Sequence, residues 1–302
     1  FAGYRDVPWL ARSHAVTVLP SVASLESLRA LGPGDPNRRV LAGFGDPFFT
    51  FAQAEAAGDA GEALASRGVS GAGVDLALRE APDTADMSSA QLAILPRLPD
   101  TRAEVESIAL ALDADLSQDV FLGREANEER VKTMDLSDRR VLVFATHGLV
   151  PGDLDGLTQP ALALSAPEVA DVDGDGLLTM GEILGLELNA DWVVLSACNT
   201  GSGDGAGAEA VSGLGRAFFY AGTRALLVSN WPVHSVSAKE LTTDLFRRQG
   251  ADSGLGRAEA LRQAMLAVMD GPGYIDQGTG RTLFSYAHPM FWAPFSVVGD
   301  GG

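Results

Sequence analysis

Short apolar runs alternate with amphipathic stretches along most of the chain. Strand-like runs fall at residues 9–19, 39–44, 120–122, 140–145, 161–164, 191–197, 224–229 and 293–298. Between them, apolar residues recur at helical spacing. Ser21 is placed to cap a helix over 22–31, with Leu25, Leu28 and Leu31 on one side. Thr101 and Glu104 have capping-box spacing and would open a helix whose apolar side is Val105, Ile108, Leu110 and Leu112. Further helices are expected over 125–134, 179–188, 209–220, 235–248 and 256–269. Several of the strand-like runs are apolar throughout, as in Val141-Leu142-Val143-Phe144-Ala145. That pattern belongs to strands buried on both faces, so the expected class is α/β: a mostly parallel central sheet with helices on both faces.

The chain is expected to divide into an N-terminal subdomain over 1–97 and a core over 98–302. A stretch within the first part, about 50–95, is rich in Ala, Gly, Ser and Asp, with weak periodicity. It reads as a variable excursion containing a helix or two.

In parallel sheets, chemistry sits beyond the carboxyl ends of the strands. Two apolar strands end in unusual residues there. Residues 141–146 run into His147-Gly148, and residues 193–197 run into Cys198, the only cysteine. On neighbouring strands, the thiol and imidazole would face each other across the crevice. A free thiol titrates near 8.5, so it needs a base to act near neutral pH. An imidazole can take its proton. Gly148 lets a substrate carbonyl approach the backbone, and its N–H, with that of Cys198, would form an oxyanion hole. His14, His234 and His288 have no comparable partner and read as structural.

Composition narrows the partners. Acids outnumber bases 40 to 22, and the formal net charge is −18. Such a field repels phosphate backbones, so nucleic acid is not an expected partner. No apolar run is long enough for a membrane span. A single cysteine forms no intrachain disulfide. The chain starts Phe1-Ala2-Gly3 without a signal-peptide pattern. It reads as a piece of a longer protein, expected in the cytoplasm.

The strings FATHG (144–148), LSACNTG (195–201) and SNWPV (229–233) resemble the CHAT domain of caspase-like cysteine peptidases, on the side of the separases rather than the caspases proper. The likeness extends to WLARSHAVTVLPSVASLESLRAL, LPDTRAEVESIA, DGLLTMGEILGLEL and HPMFWAPF, leaving out about 50–95. The resemblance implies a caspase-like core and a thiol protease acting on protein or peptide substrates through a thioester. It implies His147 as general base, Cys198 as nucleophile, and Gly148 and Cys198 backbone groups at the oxyanion hole. Ser229, Asn230 and Trp231 stand where family members pair with the substrate backbone as an added strand. Ser196 stands where relatives place a residue of the P1 pocket, often Asp or Gln. No third acid is apparent, and a backbone carbonyl is a candidate to orient the imidazole. The resemblance also implies a regulatory region or partner outside this piece and a bacterial defence or regulated-proteolysis role.

Residues 171–182 fit the calcium-loop pattern D-x-D-x-D-G-x5-E. Asp171, Asp173, Asp175 and Glu182 would offer carboxylates, Leu177 its carbonyl and Thr179 a hydroxyl or water, so Ca²⁺ is an expected metal with an activating or stabilising role. The competing expectation is a solvated acidic turn capping a helix. Two other readings are weighed. Gly203, Gly205 and Ala208 fit G-x-G-x-x-A, but no ribose-binding acid follows, so a mobile loop beside the thiol is preferred to a nucleotide site. A CHAT-like module that binds partners or senses calcium without turnover is the alternative to an enzyme. No organic cofactor is expected.

Overall fold

The computed structural model describes residues 2–19, 21–32, 34–59, 78–79, 92–154, 156–196, 206–276 and 278–302. Seven strands form the central sheet: β1 (Thr17–Val18), β2 (Arg39–Gly45), β3 (Val120–Leu122), β4 (Arg139–Ala145), β5 (Trp192–Leu195), β6 (Ala225–Ser229) and β7 (Phe295–Gly299). Their order across the sheet is β1-β7-β6-β5-β4-β2-β3. Strands β2 to β6 are mutually parallel, whereas β7 runs antiparallel to β6 and parallel to β1. The longer helices are α1 (Val22–Ala30), α2 (Phe51–Asp59), α3 (Asp100–Ala111), α4 (Glu128–Thr133), α5 (Ala206–Ala221), α6 (Ser235–Ala251) and α7 (Arg257–Asp270). The α/β class and the mostly parallel sheet follow the sequence expectation.

The apolar strands are explained by two cores, one on each face. Leu41, Val141, Val143, Trp192 and Val194 pack with Val105 and Ile108 of α3, Leu241 and Leu245 of α6, and Leu261 of α7. Their sequence neighbours Ala42, Leu142, Phe144, Val193 and Leu195 pack on the opposite side with Leu214 and Phe218 of α5. Successive strand residues point to opposite faces, so a strand covered on both sides has no polar position to spare. The sheet draws strands from both the first 97 residues and the rest, because β2 lies between β3 and β4.

Helix α3 lies unusually close to β2. A Cβ on Gly43 would come within 2.5 Å of Val105 Cγ1, and one on Gly45 within 2.9 Å of Val105 Cγ2. Two side-chain-free positions on one face of β2 therefore let α3 settle onto the strand, which fixes the segment entering α3.

Several elements differ from expectation. Residues 9–19 supply a 3-10 turn at Leu10–Arg12 and only the two-residue β1. Val16 and Val18 are exposed there, so the run lacks a second covered face. Helix α4 begins at Glu128 because the Asn127 side chain caps it, accepting from Arg130 N. The expected helix over 179–188 is one turn, Met180–Ile183. Thr101 and Glu104 do not form a capping box. The residue before α3 is Pro99, with no side-chain cap, and Glu104 is buried. Leu110 is exposed rather than core-facing. Much of the 50–95 excursion lies outside the described residues, which show there α2, a two-residue strand Leu78–Arg79 and a 3-10 turn Leu92–Ile94. Among the described residues, no helix is long and apolar enough to cross a membrane.

The close approach at Gly43 makes a stability prediction. Gly43→Val forces a branched side chain against Val105 and should cost about 1–3 kcal/mol through overpacking. Urea unfolding followed by circular dichroism measures it as a lower midpoint at unchanged slope.

Candidate active site

Strands β2, β4, β5 and β6 end level with one another. Phe44 lies opposite Phe144, Phe144 opposite Leu195, and Leu195 opposite Val228. The next residues of each chain segment therefore emerge along one edge: Asp46, His147, Ser196 and Ser229. Strands β4 and β5 are direct neighbours, and Ser196 N donates to Phe144 O at 3.0 Å. The expected nucleophile Cys198, together with the glycine-rich loop up to Gly205, lies outside the described residues.

His147 is almost wholly buried, with 1% of its surface exposed. Its Nε2 lies 2.8 Å from the Pro96 carbonyl oxygen. A carbonyl only accepts, so Nε2 carries the hydrogen and Nδ1 holds the lone pair of the neutral ring. Nδ1 is buried and has no hydrogen-bond partner among the described residues. Burial pushes the imidazole pKa below its usual value, and the Pro96 carbonyl opposes that only in part. The Phe49 ring, 5.7 Å away, covers the imidazole. The outcome is a neutral base, held in one tautomer by a backbone group. Burial makes the ring a weaker base than a solvated imidazole, and Nδ1 is the one ring nitrogen with its lone pair open to a proton.

Gly148 opens a short antiparallel pairing, Gly148–Leu149 with Ala161–Ala163. Ala163 N donates to His147 O at 2.9 Å. Bonded and non-bonded pairs alternate along such a ladder, so Gly148, opposite Leu162, is a non-bonded position. Its N–H turns away from that strand. The Thr146 hydroxyl, which donates to Ala163 O, fixes the preceding residue.

Ser196 is fully buried, and its hydroxyl donates to Glu104 Oε1 at 2.8 Å. Thr242 of α6 reaches the same oxygen at 3.5 Å. Ser196, the expected P1-pocket position, thus has a carboxyl group behind it, one expected from the sequence to cap a helix. A signal was available: Glu104 precedes Ile108 by four residues and so shares the core-facing side of α3.

Ser229 is buried at the end of β6, and Trp231 is half-buried. Asn230 is committed to the segment before β7. Its N–H donates to Pro294 O at 2.7 Å, and its Nδ2 donates to Pro294 O and Ser296 Oγ at 2.9 and 2.8 Å. A little further on, Val233–His234 pairs antiparallel with Leu78–Arg79 of the same chain. The chain just after β6 therefore pairs internally with a segment of the variable excursion, in a two-stranded sheet separate from the central one.

The acidic loop does not gather its carboxylates around a point. Glu182 Oε2 accepts from Thr179 N and Oγ1, making the capping box of Met180–Ile183. Its Oε1 meets Lys132 Nζ at 2.7 Å, and the same ammonium meets Glu128 Oε1 at 2.9 Å. Glu128 Oε2 accepts from the N–H groups of Asp175 and Gly176. Asp175 accepts from Leu177 N. Burial works to raise the Glu182 carboxyl, but the bonds from Lys132 and Thr179 prevail and hold it well below the usual carboxylate range. Among the described residues, no group of three or more His, Cys, Asp or Glu side chains is arranged to hold a metal ion. The expected Ca²⁺ donors Asp171, Asp173, Asp175, Leu177, Thr179 and Glu182 are not drawn together here, and Glu182 is paired with the Lys132 ammonium. The capped-turn expectation matches this geometry.

The comparisons with known proteins agree with this architecture. A family model described as CHAT domain matches residues 2–300. Tetratricopeptide repeat protein 28 of Homo sapiens is 28% identical over 264 residues, covering 74% of this chain and 10% of that protein. Its counterpart in Mus musculus is 27% identical over 263 residues, with the same coverage. The chain spans about a tenth of the length of these curated relatives.

Two predictions follow from the site. The depressed His147 pKa means that the unfolded chain binds a proton more readily below about 6.5. The stability gained by keeping the ring neutral is complete above that pH and is lost as pH falls through the folded value. His147→Gln should flatten this part of the acid limb, read from thermal midpoints between pH 7 and 4. At the acidic loop, Lys132→Met should lower the midpoint, whereas excess chelator or excess calcium should leave the wild-type midpoint unchanged.

Proposed function

Because this chain belongs to the CHAT domain family, which is related to caspase-like peptidases, we propose that it is a cysteine endopeptidase using His147 and Cys198. The observation that carries the reading is the state of His147. Its Nε2 is occupied by the Pro96 carbonyl, and its buried Nδ1 is a free base among the described residues, at the edge where β5 leads toward the only cysteine.

In this reading, the Cys198 thiol gives its proton to His147 Nδ1 as sulfur attacks the scissile carbonyl. The carbonyl electron pair moves onto oxygen, where the N–H groups of Gly148 and Cys198 stabilise it. The oxyanion collapses, the C–N bond breaks, and the proton passes from Nδ1 to the leaving amine. Water then attacks the thioester, giving a proton to Nδ1, and the acid product leaves as sulfur is reprotonated. The Pro96 carbonyl does the work often given to a third acid: it orients the ring and stabilises the imidazolium through Nε2–H.

Glu104 bears on substrate choice. Its carboxylate lies one hydrogen bond behind Ser196, so the reading carries a preference for basic over acidic P1 side chains. A regulatory region elsewhere in a longer protein, and a defence or regulated-proteolysis role, belong to the same proposal.

The second reading is a CHAT module that binds partners without turnover. It is favoured by the internal strand pairing at Val233–His234 and by relatives that are tetratricopeptide repeat proteins. Peptide-library digestion and iodoacetamide labelling separate the two. The peptidase reading expects cleavage that Cys198→Ala abolishes, and His147→Ala should slow both cleavage and alkylation about 10²- to 10⁴-fold. In the library, basic P1 residues should exceed acidic ones, with Glu104→Gln narrowing the gap. Unchanged alkylation in His147→Ala, with no cleavage by wild type, would favour the binding module.

A further inference from the structure

We propose that Asp46 is a positioning residue for His147, acting through Arg97 on the Pro96 carbonyl and so fixing which imidazole nitrogen is the base. The use of that base rests on the peptidase reading; the positioning itself does not.

Asp46 follows β2 at the same edge as His147, and it is fully buried. Its backbone is left-handed, with φ of 50°, an uncommon conformation for a non-glycine residue. Its carboxylate takes a two-pronged bond from Arg97, Nε to Oδ1 at 2.7 Å and Nη2 to Oδ2 at 2.8 Å. Arg102 adds a third bond, Nε to Oδ2 at 3.1 Å. The Asp46 N–H donates to Thr101 Oγ1 at 2.7 Å, and that hydroxyl donates to Leu98 O at 2.7 Å. Asp46 thus grips the strap 97–102 at three residues, two of them within the first turn of α3.

The strap is held on its other side as well. Leu95 is buried, and its carbonyl accepts from Gln53 Nε2 at 2.9 Å. Proline has no N–H and a fixed φ, so the direction of the Pro96 carbonyl is set by the residues on either side of it. Arg97 is one of those residues. Its planar fork fixes orientation as well as charge, which a lysine would not do. Its guanidinium also lies over the Phe48 ring at 5.1 Å, and the adjacent Phe49 covers His147. Loosening the fork frees the carbonyl from the one nitrogen it now holds. The ring then loses the partner that selects the Nε2–H tautomer.

The test is nitrogen NMR of His147 in the full chain carrying Cys198→Ala, compared with the same chain bearing Asp46→Asn, Arg97→Met or Arg102→Met. The parent should show the Nε2–H tautomer alone. Asp46→Asn and Arg97→Met should each place a tenth or more of the ring in the Nδ1–H tautomer. Arg102→Met, which removes a cation from the same carboxylate without touching the neighbour of Pro96, should lower the melting temperature yet leave the tautomer unchanged. Arg97→Met stands in if Asp46→Asn does not fold. The proposal is overturned if folded Arg97→Met keeps the parent tautomer, if the parent is already mixed, or if Arg102→Met shifts the tautomer equally. In chains retaining Cys198, Arg97→Met should lower kcat about tenfold or more at unchanged KM. Loss of cleavage in wild type would instead count against the peptidase reading and leave the tautomer result standing.

Discussion

A sheet covered on both faces leaves polar chemistry only its ends. Over Val141–Ala145 of β4 and Trp192–Leu195 of β5 every side chain is apolar and faces one core or the other, so no charged or nucleophilic side chain can be carried there without losing its water. The edge where Asp46, His147, Ser196 and Ser229 emerge is where the two-sided apolar cover ends and polar side chains begin. The two-sided burial therefore builds the scaffold and also decides where a site can be.

The parts legible from sequence were those set by local pattern. Strands β2, β4, β5 and β6 were readable because each is an apolar run with a partner on both faces. The place of His147 at the sheet edge was readable because it directly follows such a run. Parts set by distant residues were hidden. Glu104 matched a capping box with Thr101, yet Thr101 is engaged with Asp46 and Leu98, and Glu104 turns toward Ser196 across the sheet edge. The acidic loop matched a calcium pattern because a pattern counts carboxylates on one segment. It does not record that Lys132 and Glu128, more than forty residues earlier, neutralise one of them and bind the loop backbone. The helix expected to 188 stops after a turn, with glycines at 181 and 185 weakening it at both ends. The Pro96 carbonyl carries no side-chain signature at all, and the sequence offered only that some backbone carbonyl could serve.

The use of a carbonyl in place of a carboxylate at Nε2 shifts the burden of ordering. A carboxylate brings charge and could hold the ring from a flexible rotamer. A carbonyl is neutral and belongs to the main chain, so its direction is only as good as the strap that bears it. Gln53 bonds the carbonyl of Leu95 just before that strap, and Asp46 holds the strap itself through Arg97, Thr101 and Arg102. The glycines at 43 and 45 allow α3, and with it the strap, to sit low against β2.

The direct pairing of β4 with β5 acts as a ruler. Neighbouring strands stand about 4.8 Å apart because a hydrogen bond has one comfortable length. Helices on either face can drift, thicken or exchange side chains without altering that lateral gap. Whatever groups the two strands present at their ends inherit a separation that belongs to the peptide backbone rather than to any particular amino acid. Divergence at the level of 28% identity can therefore rewrite the covering layers while the spacing at the edge stays the same.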